Sequence, residues 1–129
     1  MSLLASAASE TEFAPRTGDL LGSYFSAWNE SDPSKRHSFL EACWEVDGTY
    51  LDRMANVSGR VELESHIATA RMMAPTMVLK LAGDPNFCQG YLKFDWEVTS
   101  GTNDVMFSGT SFARVTLGHR ISQLVSFFK

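Results

Sequence analysis

In this 129-residue chain the hydrophobic period becomes that of a strand for good after Pro75, and that change restricts the folds open to it. Before Pro75 most apolar residues recur with the period of a helix, and after it they alternate with the period of a strand. Leu21, Tyr24, Phe25 and Trp28 fall at i, i+3, i+4 and i+7, one face of an amphipathic helix beginning near Gly18. Asp32-Pro33 supplies an N-cap and a first-turn proline, so the spacing predicts a second helix over 33–45. Phe39, Leu40, Cys43 and Trp44 form its inward side. Asp47-Gly48 reads as the helix end and a turn, followed by a short strand over 49–54 with Tyr50, Asp52 and Met54 on one face. A third helix is predicted over 60–73, with Leu63, Ile67 and Ala70 inward and His66 at the margin.

Beyond Pro75 the alternation predicts a strand over 77–82, a turn at 83–86 and a long strand over 87–99. Leu92, Phe94, Trp96 and Val98 lie on one face of that long strand, with Tyr91, Lys93, Asp95 and Glu97 on the other. A turn at 101–104 leads into a strand over 105–117, with Phe107, Gly109, Ser111, Ala113 and Val115 on one face. A hairpin at 118–119 then leads into a closing strand over 120–128. Three helices followed by long antiparallel strands is an α+β pattern. Gly90 and Gly109 suit a strongly bent sheet wrapped around the helices, with a conical cavity between the two layers.

A net charge of −4 with no basic stripe argues against a nucleic-acid surface. No apolar run approaches the ~20 residues of a membrane span, and residues 1–16 lack the basic and apolar regions of a signal peptide. These residues read as a flexible leader to a single domain over 17–129. Cys43 and Cys88 have no metal or redox spacing and read as small buried hydrophobes, which fits a cytoplasmic protein. There is no metal-ligand spacing, phosphate-cradling glycine loop or nucleophile elbow, so no cofactor is expected.

The stretch from Trp44 to Ile67 places a carboxylate, Asp52, two residues from Tyr50 among aromatic helices. Asp52 is the candidate general base or water-activating carboxylate; the alternative is a strand-end aspartate capping a loop. Tyr24 is either a donor to a substrate oxygen or a core aromatic with a satisfied hydroxyl. His66 is a pocket acid, a partner to Asp52, or a histidine at the edge of the core. The candidate ligand contacts are Trp28, Phe39, Trp44, Tyr50, Met54, Phe94, Trp96 and Phe107.

The element order resembles the nuclear transport factor 2-like superfamily, near its polyketide cyclase-like (SnoaL-like) and ketosteroid isomerase-like branches. The strings that carry the resemblance are Tyr24-Phe-Ser-Ala-Trp28, Asp47-Gly-Thr-Tyr-Leu-Asp52, Ser58-Gly59-Arg60, Phe94-Asp-Trp96, Gly109-Thr-Ser-Phe-Ala-Arg114 and Gly118-His-Arg-Ile121. The resemblance implies a cone of three helices in a bent, mostly antiparallel sheet. It places Tyr24 at the isomerases' hydrogen-bond donor and Asp52 at their proton-shuttling base. It also places Ser111 where they carry a protonated aspartate, as a second and weaker hydrogen-bond donor or a serine that tolerates burial, and Arg53 where a proline often follows the base. Both departures argue against steroid isomerisation itself.

Two functions follow. One is a cofactor-independent acid/base enzyme of isomerase, dehydratase, cyclase or hydrolase type, acting on a small apolar ring compound. The other is a non-catalytic ligand-binding or association domain of the same fold. Mixed apolar and charged residues on the outer strand face, including Tyr91, Lys93, Met106, Phe112 and Arg114, predict a homodimer through that face.

Overall fold

A computed structural model describes the backbone of residues 3–129 and the side chains of residues 16–129. The elements in chain order are α1 (Leu3–Asn29), α2 (Pro33–Cys43), β1 (Trp44–Leu51), β2 (Asn56–Ser58), α3 (Arg60–Met73), β3 (Val78–Cys88), β4 (Tyr91–Thr99), β5 (Val105–Val115) and β6 (Ile121–Phe128). The strands form one six-stranded sheet in the order β2-β1-β6-β5-β4-β3. Its ladders are antiparallel except for β1 against β6, which is parallel. The α+β class and the mostly antiparallel sheet are as the sequence predicts.

α1 starts at Leu3, earlier than the expected start near Gly18. The apolar stripe marks where that helix packs, not where it begins. The leader expected over 1–16 falls almost wholly on side chains outside the described residues. α2 begins as its cap dictates: the Asp32 carboxylate accepts from the Ser34 N–H at 2.9 Å, with Pro33 at the first position. α3 matches the predicted 60–73.

Two expected turns are absent. Asp47-Gly48 lies inside β1, where the register against β6 shifts between Trp44 and Thr49. Gly48 is needed there for contact: a Cβ would lie 2.5 Å from Trp44 Nε1. Gly83–Asn86 likewise lies inside β3, at a register shift between Ala82 and Asn86. β3 is an edge strand, where a proline and a bulge are tolerated. The hairpin falls instead at Gln89-Gly90, whose φ values of 47° and 87° give the paired left-handed geometry of a two-residue turn. Cys88, at the end of that edge strand, is exposed, while Cys43 is buried as expected.

Arginines lock the layers by bonding backbone carbonyls that helix ends and strand irregularities leave open. Arg60 holds the Trp44 carbonyl through Nε and Nη2, at 3.0 and 2.7 Å. Arg71 holds the carbonyls of Trp28, Met77 and Pro75. The Asn29 amide exchanges two hydrogen bonds with the backbone of Leu79, stitching the end of α1 to β3. The core between helices and sheet is centred on Tyr24, Leu40, Trp44, Leu63, Ile67, Phe94, Ile121 and Leu124. Beside it, Trp96 crosses Gly109 so closely that a Cβ there would collide with the indole and with the Phe127 carbonyl.

Candidate functional site

β1, β4, β5 and β6 send alternate side chains toward the helices, and between the layers lies a cavity of about 330 Å³. Tyr24 and Trp28 reach it from α1 and His66 from α3. Tyr50, Phe94, Trp96, Phe107 and Ser111 reach it from the sheet, and Asp52 and Met54 from the β1–β2 turn. The lining is overwhelmingly apolar, with the carboxylate, the hydroxyls and His66 as its polar groups. Met54, Met73, Met106 and Phe107 line it while remaining about half exposed or more, so they form its rim.

Two expected ligand contacts stand outside the cavity. Trp44 is fully buried behind Tyr24, stacked with ring centroids 5.9 Å apart and planes 14° apart. Phe39 is half-buried and packs on the outside of the core. α2 closes the core rather than the pocket, and an inward stripe does not distinguish the two. Met106, expected on the outer face, reaches the rim instead. The β4–β5 register skips it, pairing Val98 with Phe107 and Thr99 with Val105, and this bulge turns the side chain over.

Asp52 does not sit within a strand. β1 ends at Leu51, and Asp52 opens a tight turn in which its backbone pairs with Ala55. The carboxylate accepts from the Tyr50 hydroxyl at 2.8 Å through Oδ2 and from the Met54 N–H at 2.8 Å through Oδ1. Both donors are two residues away in sequence, so local geometry aims the group. The His66 ring packs against two aromatic walls of the cavity, with ring centroids 5.5 Å from Tyr50 and 5.8 Å from Trp28.

Burial pushes the Tyr24 hydroxyl well above its ordinary pKa, with the Trp28 indole opposing the shift. Burial pushes Tyr50 up as well, reinforced by the negative charge of an ionised Tyr24 and of Asp52. Both phenols therefore stay protonated at neutral pH, with the proton of Tyr50 already given to Asp52. Cys43, buried behind them, is pushed up to about 12.

A stability prediction follows. A group whose folded pKa is raised contributes stability that is fully present below its unfolded pKa and is lost as pH rises beyond that. For each tyrosine, stability is expected to fall above pH about 10 by roughly 1.4 kcal/mol per pH unit. Urea unfolding between pH 9 and 11 reads the slope, and Tyr24→Phe should flatten it by about that amount. An unchanged slope would mean that Tyr24 ionises freely in the folded protein.

The residue that sequence reading missed is Ser126, whose hydroxyl lies 2.6 Å from that of Ser111. Its signal was available in principle: the alternation of Leu124, Ser126 and Phe128 puts one hydroxyl on an apolar strand face. Finding its partner requires the β5–β6 register, which pairs Ser111 with Ser126. Among the described residues, no three His, Cys, Asp or Glu side chains converge in a way that could hold a metal ion. No helix among them is long and apolar enough to cross a membrane.

Helices over a bent mixed sheet, with one carboxylate and a few hydroxyls in an apolar cavity, define a class of small pocket proteins. No family model and no curated protein matches the chain. Solved structures do. A candidate isomerase of the SnoaL-like family from Agrobacterium tumefaciens matches 89% of this chain and 98% of its own, with a TM-score of 0.83 and 25% identity. A candidate polyketide cyclase from Sinorhizobium meliloti matches 84% of this chain and 93% of its own, at a TM-score of 0.66 and 17% identity. An NTF2-like protein of unknown function from Exiguobacterium matches 85% and 98%, at 0.68 and 17%. The chain has the NTF2-like fold, which it shares with these SnoaL-like, polyketide cyclase and NTF2-like structures.

Proposed function

We propose that the protein is a cofactor-independent acid/base enzyme that moves a proton on a small apolar ring compound bearing an oxygen. One observation carries this reading: a carboxylate oriented by a tyrosine hydroxyl lines an otherwise apolar cavity, with a second protonated tyrosine, Tyr24, on the same cavity. A proton on carbon next to a carbonyl is removable when a base meets it as a hydrogen-bond donor steadies the charge growing on oxygen. Asp52 is the base and Tyr24 the donor. His66 and Ser111 are the further polar groups within the cavity, while Trp28, Phe94 and Trp96 hold the ring. The SnoaL-like isomerase and the cyclase among the structural neighbours support chemistry of this class.

A second reading is a binding domain without catalysis. It is favoured by the Asp52 carboxylate also capping its own turn through the Met54 N–H, which is reason enough for an aspartate there. The test is deuterium exchange into 2-tetralone, a small ring ketone, followed by proton NMR in D₂O. Exchange above the buffer rate supports the enzyme, and binding without exchange supports the domain. The two free cysteines fit a reducing, cytoplasmic setting.

The outer sheet face bears on assembly. Tyr91, Phe112 and Phe127 are each about half exposed on it, with Arg114 over the Tyr91 ring and Lys93 over Phe112. We propose that two copies meet there in an isologous contact. Light scattering at tens of micromolar should give twice the chain mass, and a monomer mass would rule the dimer out.

A further inference from the structure

The edge of the cavity holds a positive charge that the chemistry above does not use. Arg53 stands in the β1–β2 turn between Asp52 and Met54, both of which line the cavity. Strict alternation from Asp52 would send its side chain to the other face of the sheet. The chain has left β1 at Leu51, however, and the turn carries the guanidinium over the ring of Phe128, 4.4 Å from its centroid. Leu51 lies opposite Val125 in the parallel ladder, so the turn runs beside the last residues of β6. Phe128 is itself part of the cavity lining. Trp96 and Phe107, from β4 and β5, stand nearly perpendicular to the same ring, at 86° and 77°. Phe128 thus joins the aromatic wall of the cavity to a cation beside it.

No carboxylate of the protein neutralises that cation. Among the described residues Arg53 has no hydrogen bond and no ion pair, and its contact is the ring. Its neighbour Asp52 directs its two oxygens to the Tyr50 hydroxyl and the Met54 N–H. Arg71, which also reaches cavity residues, is held by three backbone carbonyls instead. The aromatic ring attracts the guanidinium but offers no lone pair, so the donors of the fork remain for an acceptor. Arg53 is exposed, and the rim of Met54, Met73, Met106 and Phe107 around the opening is apolar.

We infer that Arg53 binds an acid group of the ligand: the compound carries a carboxylate that stands at the mouth while its ring lies inside, among Trp28, Phe94 and Trp96. This rests on the cavity being the ligand site, as proposed above. An anion needs such a partner here, because the Asp52 carboxylate lines the same cavity and the chain carries a net charge of −4. One guanidinium fork matches the two oxygens and single charge of a carboxylate. A neutral ligand of the same shape gains nothing from it.

The test compares 2-naphthylacetate with 2-naphthylacetamide, which share a shape and differ in charge, by calorimetric titration at pH 7 on wild-type and Arg53→Gln proteins. Thermal melts check that the variant is folded. The ratio of the two affinities is the readout, because a packing defect weakens both ligands alike. The wild type should prefer the acid by about fivefold, the upper end for an exposed ion pair and within reach of a bidentate one. Arg53→Gln should bring the ratio to about one, and raising salt from about 0.05 to about 0.5 M should narrow it in the wild type. A wild type that binds the two alike or prefers the amide overturns the inference, as does a preference unchanged in Arg53→Gln or in high salt. Any of these leaves the cavity standing as a ligand site, since the amide still binds. If the wild type binds neither compound, the ligand site and the inference fall together.

Discussion

Asp52→Asn is expected to slow deuterium exchange into 2-tetralone by about 10²–10⁴-fold, the usual worth of a positioned general base. The substitution removes the proton acceptor while keeping the shape of the side chain. The single amide oxygen can still accept from the Met54 N–H, so the turn to Ala55 should survive. The Tyr50 hydroxyl loses its carboxylate partner, at a stability cost of about 1 kcal/mol. Affinity for the ketone, read from quenching of the cavity tryptophans, should change by only a few-fold, because the aromatic walls are untouched. A large loss in exchange with little loss in binding is the pattern of a group that acts on the reacting bond. If exchange by the variant equals that of the wild type, Asp52 is a turn-capping residue and the binding-domain reading takes its place.

The largest effect on stability is expected at a residue that does not touch the cavity. Trp44→Ala should cost about 3–5 kcal/mol, the range for removing a large aromatic from a core that relaxes only in part. The indole has no exposed surface, stacks on Tyr24, and has Gly48 against its edge. Its backbone carbonyl is the one clamped by Arg60, so the residue also joins the end of α2 to the start of α3. Against a total stability of 5–15 kcal/mol for a domain of this kind, the loss should be plain in urea unfolding. Trp44→Phe retains a stacking ring and should recover more than half of it. A silent Trp44→Ala would show that the site behind Tyr24 collapses freely, and that Tyr24 is not held by this stack.

Particular residues show what was legible before the fold was known. Asp52 and Tyr50 are two positions apart, and their hydrogen bond is local, so spacing alone brought them into one argument. Phe94 and Trp96 were legible because strand alternation has a period of two, and one correct phase sets a whole face. Trp44 and Phe39 were misassigned because an apolar helix stripe says that a side chain is buried without saying against what. Turn signals misled at Gly48 and Pro85, where the same residue types serve bulges inside strands. The true turn at Gln89-Gly90 carried only half of the usual sequence signature.

By itself the sequence determined the three helices and the long strands that follow them, the phase of those strands and the candidate base, since each depends on neighbours within a few residues; it missed β2 and the break between β3 and β4. Only the tertiary structure decided which buried aromatics face an empty space and which face other side chains, and where Met106 points. It alone decided that Ser111 meets Ser126. Such contacts join elements that are apart in sequence. Their partners follow from register and sheet order, and no local pattern encodes either.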